Sequence, residues 1–324
     1  MSSEFSIIED YFKPISADDP AVVIGIGDDG AVISLPNDKQ LVVVTDTSIA
    51  DVHFPKKTDP FAIAWKSLAV NLSDLAAMGA SPAFFSLALS LPTELNNTTW
   101  LSNFAKGLKA LADKYQISLI GGDTTKSEIL SITITANGWV ENNQAILRST
   151  AKVGDLVFVS GTIGDGGVGL KKLDDPLYPY SINQLNMPNP RVKLGLELLG
   201  LATSSIDVSD GLLADLRHIL NASNVSATIN YDDIPFSLEV KNYIEETGNK
   251  LFPLVCGDDY ELCFTIPKNK CLELDLIKSL VKVNMTCIGE ITEKNKESIY
   301  LKSDEKSLQE IINSFPINGF KHFV

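Results

Sequence analysis

The chain carries a set of aspartates in short segments rich in Gly, Ser or Thr, most of which follow an apolar run. The set is Asp28, Asp29, Asp46, Asp51, Asp123, Asp207, Asp210, Asp258 and Asp259, and Asp74 adds a carboxylate on a predicted helix. Carboxylates crowded together repel one another, so such a cluster is stable when cations neutralise it. Ligands that are all oxygen atoms select hard ions such as Mg²⁺ over Zn²⁺. These residues therefore predict a site for several divalent cations, of the kind that binds a polyphosphate.

A single acidic turn has a simpler explanation, because Asp at the start of a helix accepts amide hydrogen bonds and offsets the helix dipole. For Asp207 or Asp210 alone, capping and metal binding are both acceptable interpretations. The recurrence of the pattern favours the metal site, since a Gly, Ser or Thr beside Asp admits a ligand close to the backbone and adds oxygen ligands.

Composition limits the class of protein. With 324 residues, 44% of them hydrophobic, the chain can form one large domain or two ordinary ones. The formal net charge of −14 argues against a nucleic-acid partner, because binding to a phosphate backbone depends on Lys and Arg. A phosphate ligand would therefore arrive together with its metal.

Targeting and cysteine patterns point to the cytoplasm. No apolar stretch reaches the roughly 20 residues that span a bilayer, and residues 1–10 lack the basic and then apolar pattern of a secretory signal. We therefore expect a cytoplasmic protein with no membrane partner. The four cysteines contain no C-x-x-C pair, which predicts reduced structural residues rather than a zinc site.

The elements that must position the acidic residues are a mixture of strands and helices in two domains, residues 1–150 and 151–324. Predicted strands cover residues 21–24, 41–44, 117–120, 129–140, 156–159, 227–230 and 261–266, and predicted helices cover 61–78, 100–115, 191–201 and 212–222. Asp46 and Asp123 would then lie in turns at strand ends. The proline-rich stretch 174–190 is typical of an irregular connection.

Two glycine-rich turns have alternative interpretations. Gly25 to Gly30 satisfies G-x-G-x-x-G after a strand, and Asp46 follows near the spacing of a ribose-binding acid in a dinucleotide-binding enzyme. The residues after Gly30 predict a strand rather than the required helix, and Asp28 would face a pyrophosphate. Residues 161–167 suggest a phosphate cradle or an ordinary turn between a strand and a helix, and lack the ending of a P-loop.

Several motifs, in one order along nearly the whole chain, resemble the thiamine-monophosphate kinase family. They are residues 25–29 (Gly-Ile-Gly-Asp-Asp), 45–47 (Thr-Asp-Thr), 52–54 (Val-His-Phe), 71–80 (Asn-Leu-Ser-Asp-Leu-Ala-Ala-Met-Gly-Ala), 121–124 (Gly-Gly-Asp-Thr), 207–212 (Asp-Val-Ser-Asp-Gly-Leu) and 259–264 (Asp-Tyr-Glu-Leu-Cys-Phe). The resemblance implies an α+β fold of two domains, shared with aminoimidazole ribonucleotide synthetase and selenophosphate synthetase. It also implies a homodimer whose N-terminal sheets pair across the interface.

The resemblance further implies roles for individual residues. Mg²⁺ ions would be held by Asp29, Thr45, Asp46, Asp74, Asp123, Asp207 and Asp210. ATP would contact Gly122, Asp123, Arg148 and Ser209. Thiamine monophosphate would contact His53, Asp258 and Phe320. Without the resemblance, His53 would be read as a structural residue, Arg148 as a surface residue and Phe320 as a packing residue.

The implied reaction is direct in-line transfer of the γ-phosphoryl group of ATP to thiamine monophosphate, giving thiamine diphosphate. A phosphate monoester has its second pKa near 6, so the acceptor is already mostly deprotonated at neutral pH. No residue is therefore needed as a general base. Bound Mg²⁺ would offset the repulsion between the two anions, which agrees with a site rich in carboxylates.

One residue departs from the family pattern, and other readings stay open. Asp258 stands where the family usually has Glu, so this acid is one methylene shorter. Another enzyme of the same fold, similar to aminoimidazole ribonucleotide synthetase, is one alternative. The branches that use a reactive Cys near either end fit poorly, because the first Cys is Cys256. A non-catalytic sensor of nucleotide or thiamine is the alternative from a different class.

Overall fold

The computed structural model describes residues 3–16, 20–27 and 30–304. The chain divides into two compact units. The first comprises Met1–Leu75, Ala80–Asn143 and Asn186–Pro188, and the second comprises Ala76–Gly79, Gln144–Leu185 and Asn189–Val324. No helix in the described part of the chain is long and apolar enough to cross a membrane.

The first unit is built on a four-stranded sheet. Its elements in chain order are helix α1 (Glu4–Ile7), a π-helical turn (Ile8–Phe12), a 3-10 turn (Lys13–Ile15), β1 (Val22–Ile24), β2 (Val32–Ile33), β3 (Lys39–Ile49), α2 (Pro60–Ala77), β4 (Ser81–Leu91), a 3-10 turn (Thr93–Leu95), α3 (Thr98–Tyr115), β5 (Ser118–Lys126) and β6 (Ser131–Glu141). The strand order is β3-β6-β4-β5. Only the β4 and β5 pair is parallel among these, and β1 and β2 form a separate antiparallel pair.

Helix α2 forms where the sequence predicted a helix over residues 61–78. The Asp59 carboxylate accepts the N–H of Phe61 at 2.9 Å, which caps the first turn. Leu68, Leu72 and Leu75 are fully buried along one stripe. The helix therefore packs an apolar face in the first unit and carries Asp74 close to its C-terminal end.

Strands β3 and β5 are longer than predicted, and this corrects the positions of two site residues. The turn predicted at Asp46 is wrong, because β3 continues through Thr45, Asp46 and Thr47 in unbroken register with β6. Asp123 likewise lies inside β5, paired with Ala88. Thr is β-branched and suits a strand, and its partners on distant strands cannot be read from the local pattern.

The second unit contains a six-stranded sheet. Its elements are a 3-10 turn (Arg148–Thr150), β7 (Leu156–Ser160), α4 (Asp165–Lys171), α5 (Pro179–Asn186), α6 (Val192–Glu197), β8 (Ser204–Asp207), α7 (Leu212–Ala222), β9 (Ser226–Asn230), a 3-10 turn (Tyr231–Asp233), α8 (Leu238–Thr247), α9 (Phe252–Val255), β10 (Leu262–Ile266), a 3-10 turn (Lys268–Lys270), α10 (Cys271–Val281), β11 (Met285–Thr292) and β12 (Ile299–Lys302). The strand order is β12-β9-β11-β7-β10-β8. The β12 and β9 pair is parallel, and its other described pairs are antiparallel.

The irregular connection predicted for residues 174–190 is wrong in part, because this stretch contains helix α5. Pro179 opens the helix, a position that tolerates proline because its missing N–H would have had no partner within the helix. The Glu239 carboxylate accepts the N–H groups of Tyr180 and Ser181 at 3.0 and 2.7 Å. A residue distant in sequence thus stabilises the first turn, which the proline-rich pattern did not reveal.

The apolar core of the second unit lies around β7, β8, β9 and helix α7. Val157, Val159 and Ile229 of the sheet are fully buried, as are Leu216 and Ile219 of α7. Because α7 is anchored through this core, the loop that precedes it is held at a fixed point. That loop contains the Asp207-Val208-Ser209-Asp210-Gly211 motif.

Candidate active site

Two carboxylates of the first unit meet directly. Asp46 lies in β3 and Asp74 in α2, and their side chains share a hydrogen bond. Burial raises the pKa of Asp46 above its ordinary value, while the hydrogen bond with Asp74 acts in the opposite direction. Two carboxyl groups that lie this close repel each other when both are ionised, and a divalent cation can neutralise them.

The hydroxyl of Thr45 does not accompany the carboxylate of Asp46. Successive side chains of a strand point to opposite faces of the sheet. The hydroxyl of Thr45 shares a hydrogen bond with that of Thr135 on β6 at 3.0 Å, and Thr47 is paired with Thr133 in the same way at 2.9 Å. The Thr45 side chain is thus on the exposed face, and Asp46 is on the face that is half-buried.

Asp123 and Gly122 line a cavity of about 1010 Å³ in the first unit. One wall comes from the N-terminal segment, including Phe5, Ile8 and Phe12, and another from β5. The cavity is at the upper end of the roughly 300–1000 Å³ that ligand pockets occupy. Its mixture of aromatic side chains and glycine backbone could accept a nucleotide.

Gly122 is required by the path of β5. Its φ of +154° lies outside the range that other residues readily adopt, and a Cβ at this position would overlap the carbonyl oxygen of Leu87. Gly121, its neighbour, has open space where a Cβ would go. The close approach of β5 to β4 therefore depends on one glycine beside Asp123.

His53 is held by the backbone of its own loop. Its Nδ1 accepts the N–H of Ile49 at 3.0 Å, so the neutral imidazole carries its proton on Nε2. The carbonyl of His53 accepts a hydrogen bond from the ammonium of Lys66 at 3.3 Å. Lys66 is 4% exposed, and sequence reasoning missed it, although a Lys between Trp65 and Ser67 in an apolar helix was the available signal.

Asn71 precedes Asp74 by almost one turn of α2. Its Nδ2 donates to the carbonyl of Ser67 at 3.1 Å, and its Oδ1 is buried with no hydrogen-bond partner among the residues that the structure describes. A buried acceptor without a partner is costly. It is an oxygen that a cation, or a water bound to a cation, could satisfy.

In the second unit, one buried carboxylate organises the loop that carries Ser209 and Asp210. Asp215 accepts the N–H groups of Ser209, Asp210 and Gly211 at 3.0, 3.0 and 3.1 Å. Burial, and next the neighbouring Asp207, raise the pKa of Asp215 to about 8. The sequence offered a signal, an Asp in the first turn of α7, which our sequence analysis did not use.

The segment around Asp258 pairs with that loop through the backbone. The N–H of Asp258 donates to the carbonyl of Ser209 at 2.9 Å, and the N–H of Tyr260 donates to the carbonyl of Val208 at 2.8 Å. In return the N–H of Val208 donates to the carbonyl of Glu261 at 2.8 Å. The structure thus brings together two motifs that are about fifty residues apart in sequence.

Two buried acids of the same segment, Asp259 and Glu261, bond to groups inside the second unit. Asp259 accepts the N–H groups of Gly164 and Gly166 at 2.8 and 3.1 Å, near the start of α4. Burial raises the pKa of Asp259 well above its ordinary value.

Glu261 forms an ion pair with Arg191, whose Nε lies 2.7 Å from Oε2, and accepts the hydroxyl of Ser160. The turn at 161–167, considered for a phosphate cradle, instead binds the carboxylate of Asp259.

The remaining predicted residues are placed as follows. Arg148 is exposed on a 3-10 turn, and its carbonyl accepts the hydroxyl of Ser223 at 2.9 Å. Asp29 and Phe320 lie outside the described residues. Within the described ranges, no three His, Cys, Asp or Glu side chains come close enough to hold a metal ion by themselves. Asp123 therefore does not join the Asp46–Asp74 pair as a preformed cluster.

Comparison with known proteins places the chain in a family. Residues 27–140 match the AIR synthase related protein, N-terminal domain, and residues 152–302 match the AIR synthase related protein, C-terminal domain. A thiamine-monophosphate kinase from Haemophilus influenzae is 42% identical over 330 residues, covering 99% of this chain and 98% of the relative. The chain belongs to the thiamine-monophosphate kinase family.

Solved structures agree with this membership. A thiamine-monophosphate kinase from Stenotrophomonas maltophilia K279a has a TM-score of 0.85 at 40% identity, covering 91% of this chain and 96% of that one. AaThiL complexed with AMPPCP and TMP has a TM-score of 0.77 at 31% identity, covering 99% and 97%. The resemblance to thiamine-monophosphate kinases and the predicted α+β fold of two AIR-synthase-like domains are confirmed. The roles of individual residues stay predictions.

Proposed function

We propose that the protein transfers the γ-phosphoryl group of ATP to the phosphate of thiamine monophosphate, giving thiamine diphosphate and ADP. The observation that carries the proposal is the end-to-end similarity to thiamine-monophosphate kinases, one of which has been solved with AMPPCP and TMP. Because ATP is the co-substrate, we propose that the enzyme works in the cytoplasm.

The acceptor needs no general base from the protein. The second pKa of a phosphate monoester is near 6, so its terminal oxygen is mostly free to attack at neutral pH. The new bond forms between this oxygen and the γ-phosphorus, and the bond from the γ-phosphorus to the bridging oxygen of ADP breaks. His53, with its Nε2 proton, is suited to donate a hydrogen bond to the acceptor phosphate rather than to remove a proton.

The residues of the first unit fit Mg²⁺. The carboxylates of Asp46 and Asp74 are oxygen ligands that a hard cation satisfies, as is Oδ1 of Asn71, which has no hydrogen-bond partner among the described residues. We propose that Asp29, Asp46, Asp74, Asp123, Asp207 and Asp210 hold several Mg²⁺ ions; Thr45, also expected among the ligands, directs its hydroxyl to Thr135 instead. Mg²⁺ keeps waters and takes substrate phosphates as ligands, so a site with few preassembled carboxylates is compatible with it. When bound, the ions supply charge neutralisation for the two anionic reactants.

ATP and thiamine monophosphate would use different residues. We propose that Gly122 and Asp123, which line the cavity of the first unit, contact ATP together with Arg148 and Ser209. Thiamine monophosphate would contact His53, Asp258 and Phe320. A carboxylate at Asp258 is suited to the cationic thiazolium ring or to the pyrimidine amine of the substrate.

We also propose that the enzyme is a homodimer in which the sheets of the first unit pair. Leu41 and Val43 of the edge strand β3 are 39% and 56% exposed and lie on the same face of the sheet. An apolar edge of this kind is unfavourable in water unless another surface covers it.

The proposed reaction is tested by incubating the purified protein with ATP, Mg²⁺ and thiamine monophosphate, and separating the products by chromatography. Parallel samples contain thiamine or no acceptor. Thiamine diphosphate formed only from the monophosphate supports the proposal. ATP binding without any product would move the assignment to a sister enzyme or to a sensor.

A further inference from the structure

The hydroxyl of Tyr260 contacts the carboxylate of Asp258. The donor oxygen lies 3.1 Å from Oδ1, and the two residues are separated in sequence only by Asp259. Asp259 points away into the protein, where the start of α4 holds its carboxylate. Asp258 and Tyr260 are therefore neighbours on the accessible side of the segment, and both side chains are partly buried.

The backbone beneath this contact is fixed in an uncommon conformation. Asp258 and Tyr260 have φ values of +72° and +51°, in the left-handed region that non-glycine residues seldom occupy. Their N–H groups are bonded to the carbonyls of Ser209 and Val208. Such a conformation persists because these bonds and the buried anchors determine it.

Close packing around the backbone removes further freedom. A Cβ at Gly257 would overlap the carbonyl oxygen of Ser209, and a Cβ at Gly166 would overlap the carbonyl oxygen of Asp258. The peptide groups on both sides of Asp258 are thus confined. The torsions of the Asp258 side chain are the freedom that remains, and the Tyr260 hydroxyl restrains them.

We propose that Tyr260 is a positioning residue that holds the Asp258 carboxylate for the cationic substrate. The proposal rests on the proposed function, in which Asp258 contacts thiamine monophosphate. Asp is one methylene shorter than the Glu usual in the family, so its carboxylate has less reach and its direction matters more. The Tyr260 hydroxyl donates to Oδ1 of this carboxylate and so limits the orientations in which the group can meet the substrate. Fixing a side chain before binding lowers the entropy lost when the complex forms.

The test is Tyr260→Phe, which removes the hydroxyl and keeps the ring. We expect KM for thiamine monophosphate to rise about tenfold, the effect of losing a hydrogen bond to a charged group. We expect kcat within about twofold of the parent and an unchanged thermal midpoint, because the buried anchors remain. Tyr178→Phe is the matched control, since Tyr178 donates to the Glu246 carboxylate at 2.8 Å elsewhere in the same unit.

A double-mutant cycle with Asp258→Asn separates positioning from packing. If Tyr260 acts through Asp258, its removal has little further effect on KM in the Asp258→Asn background. Additive effects of the two substitutions overturn the proposal, as does an unchanged KM in Tyr260→Phe.

Direct calorimetric titration with thiamine monophosphate distinguishes this proposal from the proposed function. If the parent protein neither binds nor phosphorylates the compound, both are wrong. If the parent is active but Asp258→Asn leaves KM unchanged, the Asp258 contact and the role of Tyr260 are wrong while the kinase assignment stands. If Asp258→Asn raises KM and Tyr260→Phe does not, only the role of Tyr260 is wrong.

Discussion

The carboxyl groups of Asp46 and Asp74 share a hydrogen bond, although one belongs to a strand and the other to a helix. Because these two carboxylates are proposed ligands of a cation that neutralises the reactants, we expect Asp46→Asn or Asp74→Asn to lower kcat about 100- to 1000-fold while the fold is retained. The same result is expected for Asp123→Asn. The measurement is thiamine diphosphate production, with circular dichroism as the check on folding.

Asp113→Asn is the control for these variants. Asp113 lies in α3 of the same unit and forms an exposed ion pair with Lys109 at 2.9 Å, which contributes little. Its activity should match that of the parent. Near-normal turnover in both Asp46→Asn and Asp123→Asn would contradict the assignment of these residues to Mg²⁺.

Gly122→Ala should destabilise the first unit and weaken ATP binding. The new Cβ would overlap the Leu87 carbonyl oxygen, and the φ of +154° is strained for alanine, so we expect a loss on the order of 3 kcal/mol in the free energy of unfolding. Gly121→Ala has open space and should be close to neutral. Thermal unfolding of both variants, with and without ATP, makes the comparison. Equal midpoints for the two would show that β5 does not need glycine at residue 122.

Asp215→Ala should loosen the loop that carries Ser209 and Asp210. Three backbone N–H groups lose their acceptor, which should lower the free energy of unfolding by about 2–4 kcal/mol. Urea denaturation measures the loss. Asp275→Ala, on the exposed side of α10, is the control. If both variants unfold at the parental urea concentration, the three hydrogen bonds to the Asp215 carboxylate contribute nothing to stability.

Titration of Asp165 should make the free energy of unfolding fall as pH rises. Burial raises the pKa of its carboxyl above the ordinary 3.8, although hydrogen bonds from Ser237, Thr162 and Ser181 lower it in part. The folded state therefore keeps a proton that the unfolded state releases near pH 4. The stabilisation is complete below that pH and is lost as pH rises through the raised pKa.

We expect Asp165→Asn, which cannot titrate, to reduce the decline in unfolding free energy between pH 4 and the upper limit of the transition. Urea midpoints measured across the pH range give the slope for parent and variant. Asp259, whose pKa is also raised, should leave part of the slope in place. A slope identical to that of the parent would mean that folding does not raise the pKa of Asp165.

Val43→Asp should dissociate the proposed homodimer. A charge placed in an apolar interface costs about 2 kcal/mol or more, so sedimentation velocity should show a shift toward monomer at micromolar concentration. Val153→Asp is matched in exposure, at 57% against 56%, but lies in the second unit, and should leave the assembly unchanged. A parent protein that sediments as a monomer would already exclude this interface.

The sequence predicted element types better than it predicted where the functional residues lie on them. Helices α2 and α3 carry caps and periodic apolar residues, which are local signals, and both form as expected. Asp46 and Asp123 were expected in turns because apolar runs stop before them. They continue into strands because partners on β6 and β4 complete the ladders, and those partners are remote in sequence.

In the candidate site, too, local motifs were predicted and contacts between distant segments were not. Asp46 and Asp74 were both predicted from motifs, and the structure joins them. Asp215, Lys66 and Tyr260 were missed, because a residue that acts by holding another has no signature until the neighbour is known. Asp215 and Lys66 bond to backbone groups, and Tyr260 bonds to the Asp258 carboxylate, and a pattern of residue types records none of these contacts.

The pairing of the two loops in the second unit has an evolutionary consequence. The bonds that join Val208 and Ser209 to Asp258, Tyr260 and Glu261 are made by peptide groups, which are the same whatever side chain is attached. Among side chains that tolerate the φ of +72°, the residue at 258 can therefore change while these backbone bonds are kept. A lineage can exchange Glu for Asp there without having to rebuild the backbone pairing between the two loops.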